Sequence, residues 1–278
     1  TNMFAGMTNL QTLDVSNFNT SNVQTMWSMF GSLSSLTELD ISSFNTARVN
    51  NMAYMFSGMT NLKTLKLGAR FNTSSVTTME NMFTGLRSLQ SIDVSMFDTT
   101  NVKTTKNMFY NCATLKYLDL SSFELASVTN MTGMFYNMSN LETLIIDNFN
   151  TSSATNMSNM FANCSKLSTL NVTHFDTSKV TNMSNMFANM YALQELDLSN
   201  FITTSVTNMS SFITYCNVLI TLDLRQADFT TVKSSSNMFE GAPTTLTVIV
   251  KDADAQTWIQ DKLGEGVGTV VLVTDLTQ

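Results

Sequence analysis

The stretch Leu167–Phe187, LSTLNVTHFDTSKVTNMSNMF, decides the architecture. Leu167, Leu170 and Val172 have the L-x-x-L-x-L spacing of a short strand that buries one face. Phe175 opens a polar run, DTSKVTN, whose Asp, Ser, Thr and Asn side chains favour local bonds to the backbone over regular structure. Met183, Met186, Phe187 and Met190 follow at i, i+3, i+4 and i+7, which predicts two turns of amphipathic helix, with Thr181 or Asn182 placed to cap it. One such unit has too little to bury and is not expected to fold alone. Stacked copies would cover one another's apolar faces.

Working outward, the unit recurs along most of the chain. One phenylalanine column runs Phe4, Phe30, Phe56, Phe83, Phe109, Phe135, Phe161, Phe187, Phe212 and Phe239, and a second runs from Phe18 to Phe229; together they use all 19 phenylalanines. The methionines fall into three further columns, with Met96 the exception. Methionine at this spacing beside phenylalanine reads as packing rather than soft-metal ligation. Cys112, Cys164 and Cys216 take one of the core places, two coils apart. At roughly 4.8 Å per stacked strand they lie about 10 Å from each other, too far for a disulfide.

Three departures stand out. Gly68-Ala69-Arg70 carries an extra residue; the step from Leu222 to Phe229 looks lengthened by two; and Thr105, Ser211 and Ser235 stand where core methionines are expected. After Gly241 the pattern changes at Pro243, the only proline. Leu246–Val250 reads as a strand, Asp252 or Asp254 as the cap of a helix carrying Ala255, Trp258, Ile259 and Leu263, and Val267–Val273 as a last strand. The chain thus divides into a solenoid, 1–242, and a capping unit, 243–278. It opens in mid-repeat at Thr1, which suggests a piece of a longer protein, since a solenoid needs a polar cap at each end.

Charge and hydropathy exclude several classes. A net charge of −7 with no Lys/Arg stripe argues against nucleic acid and against electrostatic binding to anionic lipid. With no run of 18 apolar residues, membrane insertion is not expected. His174 is the sole histidine, with no acid and nucleophile arranged around it, and Gly-rich phosphate loops are missing. An enzyme is not expected, nor a cofactor or metal.

The run FDTSKVTNMSNMF at Phe175–Phe187, with the leucine pattern that follows it, resembles the BspA-like leucine-rich repeats. It is closer still to the 26-residue repeats of bacterial, mycoplasma-type surface lipoproteins. The likeness covers Thr1 to about Ala242, and VKDADAQTWIQDKL resembles that family's closing unit. It implies an α/β solenoid, a right-handed, leucine-rich-repeat-like stack of about nine to ten coils, with a parallel sheet on one face, short helices on the other and a small α/β cap. It also implies exposure at the cell surface and adhesion to a host or matrix protein or glycan, with no catalytic motif. Where the usual repeat carries an Asn ladder, this chain has phenylalanine.

Candidate binding residues follow from which positions point outward. The strand side carries an acidic column, Asp14, Asp40, Asp93, Asp119, Asp197 and Asp223, interrupted by Lys66, Ile145 and Asn171. It reads as a face for a basic partner or Ca²⁺, or as a solvated face serving solubility. Tyr117 and Arg225 share that side, while Trp27, Tyr54, Tyr110 and Tyr136 lie off the methionine stripe as possible anchors or as ordinary scatter. The column Thr20, Thr46, Thr73, Thr99, Thr151, Thr177, Thr203 and Thr230, broken at Leu125, reads as turn chemistry, or as an exposed row that orders water. Two functions stay open: a monomeric interaction module, or a stiff stalk presenting another domain.

Overall fold

The computed structural model describes residues 1–277. Successive 26-residue segments lie one on the next, and their apolar columns form a continuous core. The Phe4 to Phe187 rings stack with centroids 5.4–6.2 Å apart and planes within 16°. A second stack runs from Phe71 through Phe97, Phe123 and Phe149 to Phe175 at 5.7–6.5 Å. Twelve phenylalanines are fully buried, and offset stacks of this kind add to the burial of their area.

The strand side holds short parallel strands: β1 (Glu38–Asp40), β2 (Thr64–Lys66), β3 (Tyr117–Asp119), β4 (Thr143–Ile145), β5 (Glu195–Asp197) and β6 (Thr221–Leu224). They pair at an offset of one coil, Leu39 with Leu65, Leu118 with Leu144 and Leu196 with Leu222. The sheet is not continuous. It falls into β1-β2, β3-β4 and a third group that begins with β5-β6, and the coils at 91–93 and 169–171 between them form no strand. The third inward residue separates the two kinds of coil. It is Ile41, Leu67, Leu120, Ile146, Leu198 or Leu224 where strands pair, and Val94 or Val172 where they do not; Val15 marks an unpaired first coil. Val250 holds the same place in a later strand and still pairs, so valine marks these coils without by itself breaking the ladder.

The methionine segment corrects the expectation of short helices. The only α-helix among the described residues lies near the C-terminus. In each coil two residues four apart take a left-handed conformation, as at Asn185 (φ 54°) and Asn189 (φ 60°), which interrupts any helix. Between them the amides alternate. Met186 N–H and Ala188 N–H bond back to Met183 and Asn185 within the coil, while Asn185, Phe187 and Asn189 donate to the carbonyls of Ser210, Phe212 and Thr214 in the next. All backbone donors in the run are thereby satisfied without a helix. A parallel bridge precedes the turns and repeats without interruption from Thr25 and Asn51 to Asn208 and Ser234.

The apparent drifts in repeat length resolve differently. Gly68 accommodates a true extra residue, at φ +81° and so close to Ser42 that a Cβ there would lie 2.5 Å from the Ser42 Cα. Near the C-terminus the coils keep 26 residues and exchange side chains instead. Phe212 occupies the place of Met186 and Ile213 that of Phe187, because Phe187 N–H bonds to the Phe212 carbonyl as Phe161 N–H bonds to that of Met186. Ser211 therefore replaces a left-handed Asn, not a core Met, and Phe212 meets Phe187 edge-on at 83°. Likewise Ala227 takes the inner phenylalanine place, so the step after Leu222 is not lengthened. Phe229 is freed to stack on Trp258 at 4.3 Å.

The closing elements are β7 (Thr247–Val250), α1 (Ala253–Leu263) and β8 (Thr269–Leu272), followed by a 3₁₀ turn (Val273–Thr277). β7 and β8 continue the parallel sheet from β6. β6 and β8 flank β7 as its paired neighbours, and Val250 does not break the pairing there. Asp252 caps α1 by accepting from Ala255 N–H at 2.9 Å, and Gly264 ends it at φ 82°. Ala255, Ile259 and Leu263 are buried. Gln278 of the expected capping unit lies outside the described residues.

Candidate functional site

Each coil's polar residues first serve the coil, and only what remains is free to bind. The threonine column is buried, not an exposed row. Thr20, Thr46, Thr73, Thr99, Thr151 and Thr177 each donate to a carbonyl of the next coil at 2.7–3.0 Å. Most of these hydroxyls also accept the N–H of the residue whose carbonyl they hold, as Ile202 N–H on Thr177 at 2.8 Å. Thr203 makes the same pair of bonds with Asp228. The column ends there, since Phe229 takes the next place and Thr230 is exposed. Leu125, in the break, is buried.

The acidic column is also partly structural. Asp14, Asp40, Asp93, Asp119 and Asp197 accept the backbone N–H two residues on at 2.9–3.0 Å, turning the chain out of the strand. Asn171 makes the same bond to Thr173 N–H at 3.3 Å. The serine backbone and hydroxyl contacts hold Asp14, Asp40, Asp93 and Asp119 below the ordinary carboxylate range. Lys66 meets Asp40 at 3.5 Å. Asp223 is buried and held by the Arg225 guanidinium, so neither is free for a partner. Among the described residues no group of three or more metal-ligand side chains is assembled.

The aromatic candidates divide between two runs of the coil. Trp27 and Tyr54 meet edge to face at 6.1 Å, and Tyr110 and Tyr136 stack at 4.8 Å; all four lie on the turn segment. Tyr117 is on the strand side, 54% exposed, with its hydroxyl donating to Asp119 Oδ2 at 3.3 Å. The twelve candidates therefore form no single site. Cys112, Cys164 and Cys216 are free, buried and donate to the carbonyls of Phe83, Phe135 and Phe187; burial pushes each thiol up to about 12.

Two recesses open where the sheet is interrupted. One, of about 260 Å³, lies between Ile92, Asp93, Tyr117 and Asp119. The other, of about 480 Å³, is lined by Leu144, Leu170, Asn171, Gln194, Glu195 and Asp197. Reading single columns missed Glu195, Gln194 and Leu170. The available signal was the change from Leu or Ile to Val at Val94 and Val172.

A family described as "Mycoplasma protein of unknown function, DUF285" matches the chain over residues 1–67, 66–145 and 129–251. The chain belongs to that family. The family match bears out the mycoplasma-type resemblance read from Phe175–Phe187. No curated protein matches the chain. Among solved structures, it is similar to a leucine-rich repeat protein from Bacteroides ovatus, at 16% identity and a TM-score of 0.49. That alignment covers 81% of this chain and 57% of the other, so the DUF285 chain spans little more than half of that protein.

Proposed function

We propose that this DUF285 chain is a non-catalytic interaction module displayed at a bacterial cell surface, where it adheres to a host or matrix protein or glycan. One observation carries the reading. The inward columns repeat almost unchanged, while one outward row on the strand side changes from coil to coil, with Glu38, Thr64, Tyr117, Thr143 and Glu195, beside a row that is mostly aspartate. A chain serving only as a spacer needs no such change of outward side chain over a fixed core. The bacterial surface location rests on the family, and no helix among the described residues is long and apolar enough to cross a membrane.

The test is retention of purified matrix proteins on the immobilised chain, alongside a glycan array. Specific, saturable binding that is lost on substituting strand-side residues supports the module. Binding to nothing in either format favours the stalk.

A further inference from the structure

The two strand-side recesses share a composition that one kind of side chain would satisfy. Each is lined by aliphatic side chains, Ile92 in one and Leu144 with Leu170 in the other, and by two carboxylates, Asp93 with Asp119 and Glu195 with Asp197. A lysine or arginine lays its aliphatic stem on such side chains and carries its charge to the carboxylates. Tyr117, its hydroxyl on Asp119, adds a ring face for the cation in the first recess. Asp93, Glu195 and Asp197 form no salt bridge within the described chain; Arg225, one coil on, is paired with Asp223 and also lies in the field of Asp197. Asp93 and Asp197 use only Oδ1 in their turns, which leaves Oδ2 to the recess.

The spacing adds a second constraint. The nearest carboxylates of the two recesses, Asp119 and Asp197, are three 26-residue coils apart. At roughly 4.8 Å per coil that is ~14 Å along the stack. Four residues of an extended chain at about 3.4 Å each span the same distance. An even step also turns both side chains to the same face.

We propose that the two recesses form one track for an extended polypeptide that runs along the stack with basic side chains at positions i and i+4. This rests on the interaction-module reading and specifies the partner. The net charge of −7 complements such a ligand over the whole surface.

The test uses the intact chain and labelled Ser/Thr peptides read by fluorescence anisotropy. Lysines four apart should bind about tenfold tighter than lysines three apart, and glutamates in their place should abolish binding. Asp119→Asn with Asp197→Asn should weaken the four-apart peptide about tenfold, with a greater loss in added salt for the parent. These substitutions keep the turn, because Asn171 already holds it in its own coil. Val172→Leu, which refills the inward place, should close the second recess and remove the preference for spacing. Equal affinity for both spacings, or unchanged affinity in the double variant, overturns the track. A matrix protein or glycan retained equally by parent and double variant also overturns it and leaves the module standing. Retention of neither peptide, protein nor glycan removes both.

Discussion

The two long sides of the coil are built to different tolerances. On the turn side, bridges and alternating inter-coil bonds continue without interruption from Thr25 to Ser234. On the strand side, the ladder breaks at 91–93 and again at 169–171. Both sides face the same phenylalanine core, so burial alone does not explain the contrast. The turn side is held by side chains that bond to backbone: Asn51, Asn130, Asn156, Asn182 and Asn208 each accept an N–H two residues on, at 2.9–3.0 Å. The strand side has the same local bonds at Asp40, Asp93, Asp119 and Asp197, so the difference lies in the bonds between coils, which on that side depend on strand register. That ladder opens at the Val94 and Val172 coils while the turn side continues intact.

Four substitutions would break or sharpen that contrast. The largest effect belongs to the core both sides share. Phe135→Ala removes a ring stacked between Phe109 and Phe161 and should cost about 3–5 kcal/mol in denaturant unfolding; a loss below about 1 kcal/mol would mean that the stack does not bind the coils together. Next comes the turn side itself. Asn185→Ala should cost about 1–2 kcal/mol because alanine resists the left-handed conformation, with Asn185→Gly close to neutral and Thr169→Ala on the strand side smaller than either limit. Equal losses at 185 and 169 would erase the difference between the sides.

Thr177→Val tests the clamp at the corner between them. It strands Ile202 N–H and the Ile202 carbonyl and should lower stability by about 1 kcal/mol. The Leu125 coil, two coils away, lacks a clamp by nature and gives the internal reference. The smallest effect has the opposite sign. Thr105 is buried with its hydroxyl unpartnered in a column held by methionine at every other place from Met26 to Met209. Thr105→Met should raise stability by about 0.5–1 kcal/mol; a decrease would show that the coil has closed around threonine.

The stack and its core were legible because phenylalanine, methionine and leucine recur at one period, and periodic burial leaves a periodic trace. The turn segment was misread for a physical reason. Met183, Met186, Phe187 and Met190 satisfy helical spacing equally well when the backbone steps through two left-handed turns, and only Asn185 and Asn189, repeated as Asn159 and Asn163, distinguish the two. The exchanges at Phe212 and Phe229 passed for changes in repeat length because a column is followed by residue type, whereas the structure follows place. Of the candidate site, Tyr117, Asp93, Asp119 and Asp197 border the recesses, and Asp223 with Arg225 is self-paired. The recesses themselves lie beside the coils that form no strand, which no single outward residue announces.

Residue-resolved amide hydrogen exchange on the native chain tests the asymmetry most directly. The inter-coil amides of Asn107, Asn159 and Asn185 should be protected close to the global unfolding limit, while those of Ile92 and Leu170 exchange by local opening. Equal protection at Leu170 and Leu196, or rapid exchange along the asparagine turns, would contradict a solenoid held on one side and opened on the other.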